Sequence, residues 1–201
     1  MSTIKSICVY CASGPGNHPA YVQAATEFGR ILGENGIRLV YGGGSVGLMG
    51  ALANSVLDHG GHVIGVIPDF LVDREHMLLR VQERIITPDM HARKWTMFER
   101  ADAFVALPGG IGTLEELVEQ MTWAQLGRHK KPILVLNVER FWDPFCALID
   151  HMKRLAFIRP AMWVDFLVAE KVEEILPKLL EAARAVPEDQ KAMTPVAAEK
   201  L

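Results

Sequence analysis

Long hydrophobic runs are missing from this 201-residue chain. No apolar stretch reaches the roughly 18 residues that a helical membrane span requires. The opening Met1–Gly14 passes straight into a strand and lacks the pattern of a signal peptide. Together these predict a soluble, cytoplasmic protein with no membrane partner. An excess of positive charge is also missing: 21 Lys and Arg stand against 24 Asp and Glu, for a net charge of −3. The basic residues are scattered, so nucleic acid is not an expected partner. Cysteine is scarce, with only Cys8, Cys11 and Cys146, too few for a disulfide framework. Cys8 and Cys11 have C-x-x-C spacing, but no second pair accompanies them and Cys8 lies inside the apolar run Ile7–Tyr10. Buried thiols explain them better than zinc, and neither a metal nor another cofactor is expected. What remains is 50% hydrophobic and 22% charged, the balance of a globular protein.

The order of elements reads strand, small-residue turn, helix, repeated. Strands are predicted over Ile4–Tyr10, Ile37–Tyr41, His62–Ile67, Leu79–Thr87, Ala103–Leu107, Pro132–Asn137 and Val164–Ala169. Helices are predicted over Pro19–Glu34, about Val46–His59, Pro88–Arg100, Thr113–Gly127, Asp143–Arg154 and Lys171–Ala185. Residues 69–78 read as a loop. This alternation predicts an α/β fold, a doubly wound Rossmann-like parallel sheet with helices on both faces. A single domain is expected over residues 1–186, with a flexible tail at 187–201. Ligands of such sheets bind beyond the carboxyl ends of the strands. The turns at 11–16, 42–47 and 108–113 all fall there.

The most specific of these turns is Pro108-Gly109-Gly110-Ile111-Gly112-Thr113, which follows a buried strand and opens a helix. Backbone N–H groups around a helix N-terminus make a phosphate site. Glu116 sits in the first turns of the same helix. A negative charge would repel a ligand that is merely held, yet it serves a reaction at a nearby carbon. That points to an enzyme acting on a phosphorylated small molecule. Leu114, Leu117, Val118 and Met121 make an apolar stripe on this helix, which puts Glu116 and Trp123 on the opposite side. A tryptophan there predicts a second apolar contact, such as a subunit interface beside the site.

Two further blocks belong to the reading. Gly42, Gly44 and Gly47 match the dinucleotide pattern G-x-G-x-x-G, but after the second strand, and the acid expected about 20 residues on would fall near His62. A smaller nucleotide is the better expectation than NAD. Met90-His91-Ala92-Arg93-Lys94 offers a guanidinium fork and a point charge to a phosphate and sugar. His91 is a tempting base, but a lone histidine here more often packs or caps.

At these residues the chain resembles the Lonely Guy (LOG) family of cytokinin riboside 5′-monophosphate phosphoribohydrolases, whose members often carry a lysine decarboxylase label. P-G-G-x-G-T-x-x-E is met by Pro108–Glu116, M-H-x-R-K by Met90–Lys94, Y-G-G-G-x-x-G-L-M-G by Tyr41–Gly50, and T-W-A-Q-L-G by Thr122–Gly127. The resemblance implies an N-glycosidase that splits a purine riboside 5′-monophosphate into free base and ribose 5-phosphate. It places the catalytic pair on Arg93 and Glu116. Substrate contacts fall on Ser13, Gly43, Gly44, Glu75, Lys94, Gly109, Gly110, Ile111, Gly112, Thr113, Leu114, Glu115 and Thr122. No lysine stands where a Schiff base to pyridoxal phosphate would be implied. A homodimer with sites near its interface is also implied. The sequence Cys11-Ala12-Ser13-Gly14 and the loop Asp73–Leu78 depart from the family pattern around the base pocket, away from the reacting centre. The other readings are an AMP-preferring nucleosidase and a non-catalytic nucleotide or molybdopterin carrier, which would have no use for Glu116 opposite Arg93.

Overall fold

The computed structural model describes residues 4–74, 76–160, 163 and 165–185. Within them, seven strands form one parallel sheet: β1 (Ser6–Tyr10), β2 (Arg38–Tyr41), β3 (Val63–Pro68), β4 (Glu83–Thr87), β5 (Ala103–Ala106), β6 (Ile133–Leu136) and β7 (Leu167–Ala169). The helices are α1 (Pro19–Glu34), α2 (Gly47–Asp58), α3 (Met90–Arg100), α4 (Ile111–Gln125), α5 (Asp143–Arg154) and α6 (Ile175–Ala185). Strand order is β4-β3-β2-β1-β5-β6-β7, so the winding reverses between β1 and β5. At such a switch point the connections leave toward opposite faces and open a crevice.

Strands β1, β3, β5 and β6 are buried at every residue. This is why they read as continuous apolar runs rather than alternating ones. One face of the sheet, with Ile7, Val9, Leu39, Val63 and Val105, packs under α1, α2 and α6. The other, with Cys8, Tyr10, Val40, Ile64 and Phe104, packs under α3, α4 and α5. Cys8 and Cys11 fall in different clusters, on opposite faces, so the C-x-x-C spacing cannot close on one ion.

Two expectations need correction. The strand predicted from Leu79 begins only at Glu83, the first residue in register with β3. Before it, Gln82 Oε1 accepts the Val63 N–H at 2.9 Å, so a side chain stands where the ladder would continue. The second correction concerns α4. Its buried residues are Thr113, Glu116, Leu117, Gln120 and Met121, whereas Val118 is exposed. The inward face is therefore rotated from the purely apolar stripe toward the side that carries Glu116. Trp123 is half-buried and packs within its own chain, edge-on to Phe98 at 5.1 Å and near Trp95 at 5.8 Å. Its side chain is thus accounted for by α3 without a second subunit. Residues 187–201 and Glu75 lie outside the described residues.

Candidate active site

Beyond the carboxyl ends of β1, β2 and β5 lies a cavity of about 460 Å³. The loops after β1 and β5 stay side by side because Leu107 N–H donates to Tyr10 O (2.9 Å) and Ala12 N–H to Pro108 O (3.2 Å). One wall is the start of α4, with Gly110, Ile111, Gly112, Thr113, Glu115 and Glu116. Gly110 is the N-cap of α4 and offers no side chain to its first-turn amides. By contrast, α3 is capped by Asp89, whose carboxylate accepts the Ala92 N–H at 2.8 Å. The opened helix end leaves N–H groups and the positive end of its dipole for an anion. Gly109 is not among the residues that line this cavity. A Cβ there would overlap the Thr113 side chain, so the glycine leaves Thr113 its place in the wall.

Arg93 and Glu116 meet at the floor. Arg93 lies one turn into α3, and Nη1 donates to Glu116 Oε1 at 2.8 Å, with side chains only 8% and 10% exposed. Arg93 Nε donates to the Val66 carbonyl at 3.1 Å. The β2–β3 register ends at Tyr41↔Gly65, one residue short of Val66, so β2 turns away at the point where that carbonyl receives the arginine. Removing either partner of a buried ion pair leaves the other charge uncompensated, at a cost of about 3–5 kcal/mol. The remaining walls are neutral. Burial pushes the thiol of Cys11 and the hydroxyl of Tyr10 above their ordinary ranges.

The structure brings together Ser13, Arg93, Gly110, Ile111, Gly112, Thr113, Glu115 and Glu116 around one cavity. Lys94 turns the other way, with Nζ 2.6 Å from Glu115 Oε1 and 3.0 Å from Glu119 Oε1, tying α3 to α4. Leu114 belongs to the apolar cluster below and donates the first helical bond to Gly110 O. Gly43 and Gly44 hold the neighbouring loop: Gly43 O accepts the Leu78 N–H at 2.9 Å, and Gly44 bridges Met77. Thr122 opens onto a separate groove between α4 and α5. His91 is exposed on α3. Gly42, Tyr10, Met49 and Met90 also line the cavity. Gly42 belongs to the glycine turn and Met90 to the M-H-x-R-K block, whereas Tyr10 and Met49 carry no signal of a site beyond the strand and the glycine block they sit in.

Residues 49–179 match a family model described as "Possible lysine decarboxylase". The chain is 50% identical over 180 residues to the cytokinin riboside 5′-monophosphate phosphoribohydrolase LOG of Oryza sativa subsp. japonica, covering 90% of this chain and 74% of that one. It is 47% identical over 178 residues to LOG1 of Arabidopsis thaliana, of the same description, covering 89% and 84%. The chain belongs to the LOG family. Among solved structures, the Moco carrier protein of Chlamydomonas reinhardtii superposes on this LOG-family fold with a TM-score of 0.67 at 20% identity, covering 92% of this chain and all of that one. A molybdenum cofactor binding protein of Rippkaea orientalis does so with a TM-score of 0.66, also at 20% identity, covering 90% and 98%. At that identity the likeness concerns the fold alone. The decarboxylase wording finds no support in the cavity, where no lysine is among the described lining residues.

Proposed function

We propose that this protein hydrolyses the N-glycosidic bond of cytokinin riboside 5′-monophosphates, releasing the free base and ribose 5-phosphate. The observation that carries the reading is the buried Arg93–Glu116 pair on the floor of a cavity whose wall is the uncapped start of α4. The 5′-phosphate rests on the amides of Ile111, Gly112 and Thr113. The C1′–N9 bond breaks with its electron pair leaving on the base, and C1′ develops positive, oxocarbenium-like charge. Water then supplies the new C1′–O bond, and one of its protons ends on the departing base. A carboxylate beside such a carbon stabilises the transition state more than the neutral ground state, which is the condition for catalysis. Arg93 holds that carboxylate in place through a charge-assisted hydrogen bond.

The test is base release from N6-isopentenyladenosine monophosphate and from AMP, side by side, with purified protein. Release from the isopentenyl nucleotide at the higher kcat/KM supports the reading. Preference for AMP replaces it with a general nucleosidase, and tight nucleotide binding without turnover replaces it with a carrier.

The proposed active form is a homodimer joined through the α4–α5 face. Val118, Leu126, Leu148 and Leu155 are exposed there, around the groove lined by Met121, Thr122, Ile149, Met152 and Ile158. Apolar, well-packed centres of this kind are typical of homodimer interfaces. Docking on this face carries Thr122 into the interface. Light scattering after chromatography at micromolar concentration gives twice the chain mass on this reading, and a monomer overturns it.

A further inference from the structure

Gly42 lines the cavity although it has no side chain to offer a ligand. It is buried, and its φ lies outside the left-handed region, so a positive φ is not what calls for glycine there. Glycine must be required for room. A Cβ built on Gly42 would stand 2.5 Å from Arg93 Nη2 and 3.0 Å from Met49 Sδ. The methionine is flexible and can give way. The guanidinium cannot move without consequence, because Nε is held by the Val66 carbonyl and Nη1 by Glu116.

We infer that Gly42 is a positioning residue for the reaction: the space left by its missing side chain seats the Arg93 guanidinium against Glu116. This rests on reading Arg93 and Glu116 as the reacting pair. The effect runs through Arg93, the side chain that a Cβ at this position would meet first. An added methyl meets the far end of a side chain, so the fold yields at little cost, and what yields is the arginine. Displacing a preorganised group by an ångström is felt mainly in kcat, because binding on the α4 amides is untouched.

The experiment is a double-mutant cycle of Gly42→Ala and Arg93→Lys, read in kcat, KM and thermal midpoint. A lysine carries one ammonium and nothing in the place of Nη2, so it leaves the space beside residue 42 open. Gly42→Ala alone is expected to lower kcat by about 10- to 100-fold with KM changed less than about threefold, and to shift the midpoint by only about 2 °C. In the Arg93→Lys background the same substitution is expected to cost less than about threefold, the signature of two coupled sites. An equal loss in both backgrounds, or no loss in either, overturns the inference. If Gly42→Ala fails to fold, the cycle is read on stability. Recovery of folding in the double variant supports the clash with the guanidinium, and failure to recover overturns it. Arg93→Lys alone turning over at the wild-type rate would instead reject the pair as the reacting centre.

Discussion

Two glycine-rich turns leave the same edge of the sheet and open a helix each: 42–47 before α2 and 108–113 before α4. In the first, the helix end is closed. Leu48 and Met49 N–H donate to Gly14 O (3.3 Å) and Ala12 O (3.2 Å), so the first-turn amides of α2 are spent on the β1–α1 loop. Gly47 has φ +61°, and a Cβ there would overlap the Ser13 carbonyl. Gly47 lets the start of α2 and the β1–α1 loop approach backbone to backbone. In the second turn Gly110 and Gly112 have no heavy atom within 4 Å of an added Cβ, and both border the cavity. One turn is a joint and the other a cradle. A glycine pattern alone therefore does not identify a phosphate site; what matters is whether the helix amides are already bonded.

The comparison breaks most decisively at Glu116. If the second turn serves chemistry, Glu116→Gln should lower kcat by about 10² to 10³, the cost of losing one preorganised electrostatic group. Nucleotide affinity, followed by equilibrium binding, should change far less. Near-wild-type turnover by Glu116→Gln would show that the open turn only binds.

The phosphate itself comes next. A nucleoside lacking the 5′-phosphate has nothing to place on the Ile111–Thr113 amides, and its kcat/KM should fall by about 10²-fold against the matching monophosphate. Equal kcat/KM for adenosine and AMP would mean that the uncapped helix end is not the anchor.

Most of the framework was legible because its causes are local. Pro19 at the first turn and Gly36 at φ +64° bound α1 where the sequence places it. The buried strands announce themselves as short apolar runs. The phase of α4 was not legible by hydrophobicity, because the helix turns Thr113 and Glu116 toward a polar cavity and Gln120 into the interior. A stripe chosen for apolar residues instead selected Val118, which faces outward. The split between Arg93, buried, and Lys94, which reaches Glu115 and Glu119, follows from their angular separation on α3 only once its neighbours are known. Thr122 carries no signal that would place it in the α4–α5 groove rather than in the cavity.

Smaller effects distinguish joint from cradle through stability. Gly47→Ala forces a side chain into the left-handed region and against backbone that cannot step aside. It should cost about 2–3 kcal/mol in denaturant unfolding. Gly112→Ala lies inside α4 with open space around it. It should leave stability unchanged or raise it by about 0.5–1 kcal/mol, while the methyl at the cavity wall raises KM. The reverse pattern would exchange the roles of the two turns.

Acid inactivation must not be mistaken for titration at the open turn, and His129 supplies the control. It is 6% exposed, in the connection from α4 to β6, at the edge of the sheet away from the cavity. Its Nδ1 accepts the Lys131 N–H at 3.1 Å, which leaves Nε2 to donate to Gln120 O at 3.1 Å, so the neutral ring satisfies both neighbours. Burial, reinforced by Lys131 and Lys130, lowers its pKa from 6.5 to about 4. Between those values the unfolded chain binds the proton and the folded chain does not, so stability falls as pH falls through that window. The loss should approach about 2 kcal/mol. Glu27 and Glu174 are also held below their ordinary value of 4.5, and their contributions are lost only at lower pH. Between pH 6.5 and 4.5 the decline should therefore belong largely to His129. In His129→Gln, which keeps a donor and an acceptor, chemical denaturation should give a nearly flat stability across that range. If the decline persists unchanged in the variant, the acid sensitivity arises elsewhere in the molecule, and the two turns become the places to look.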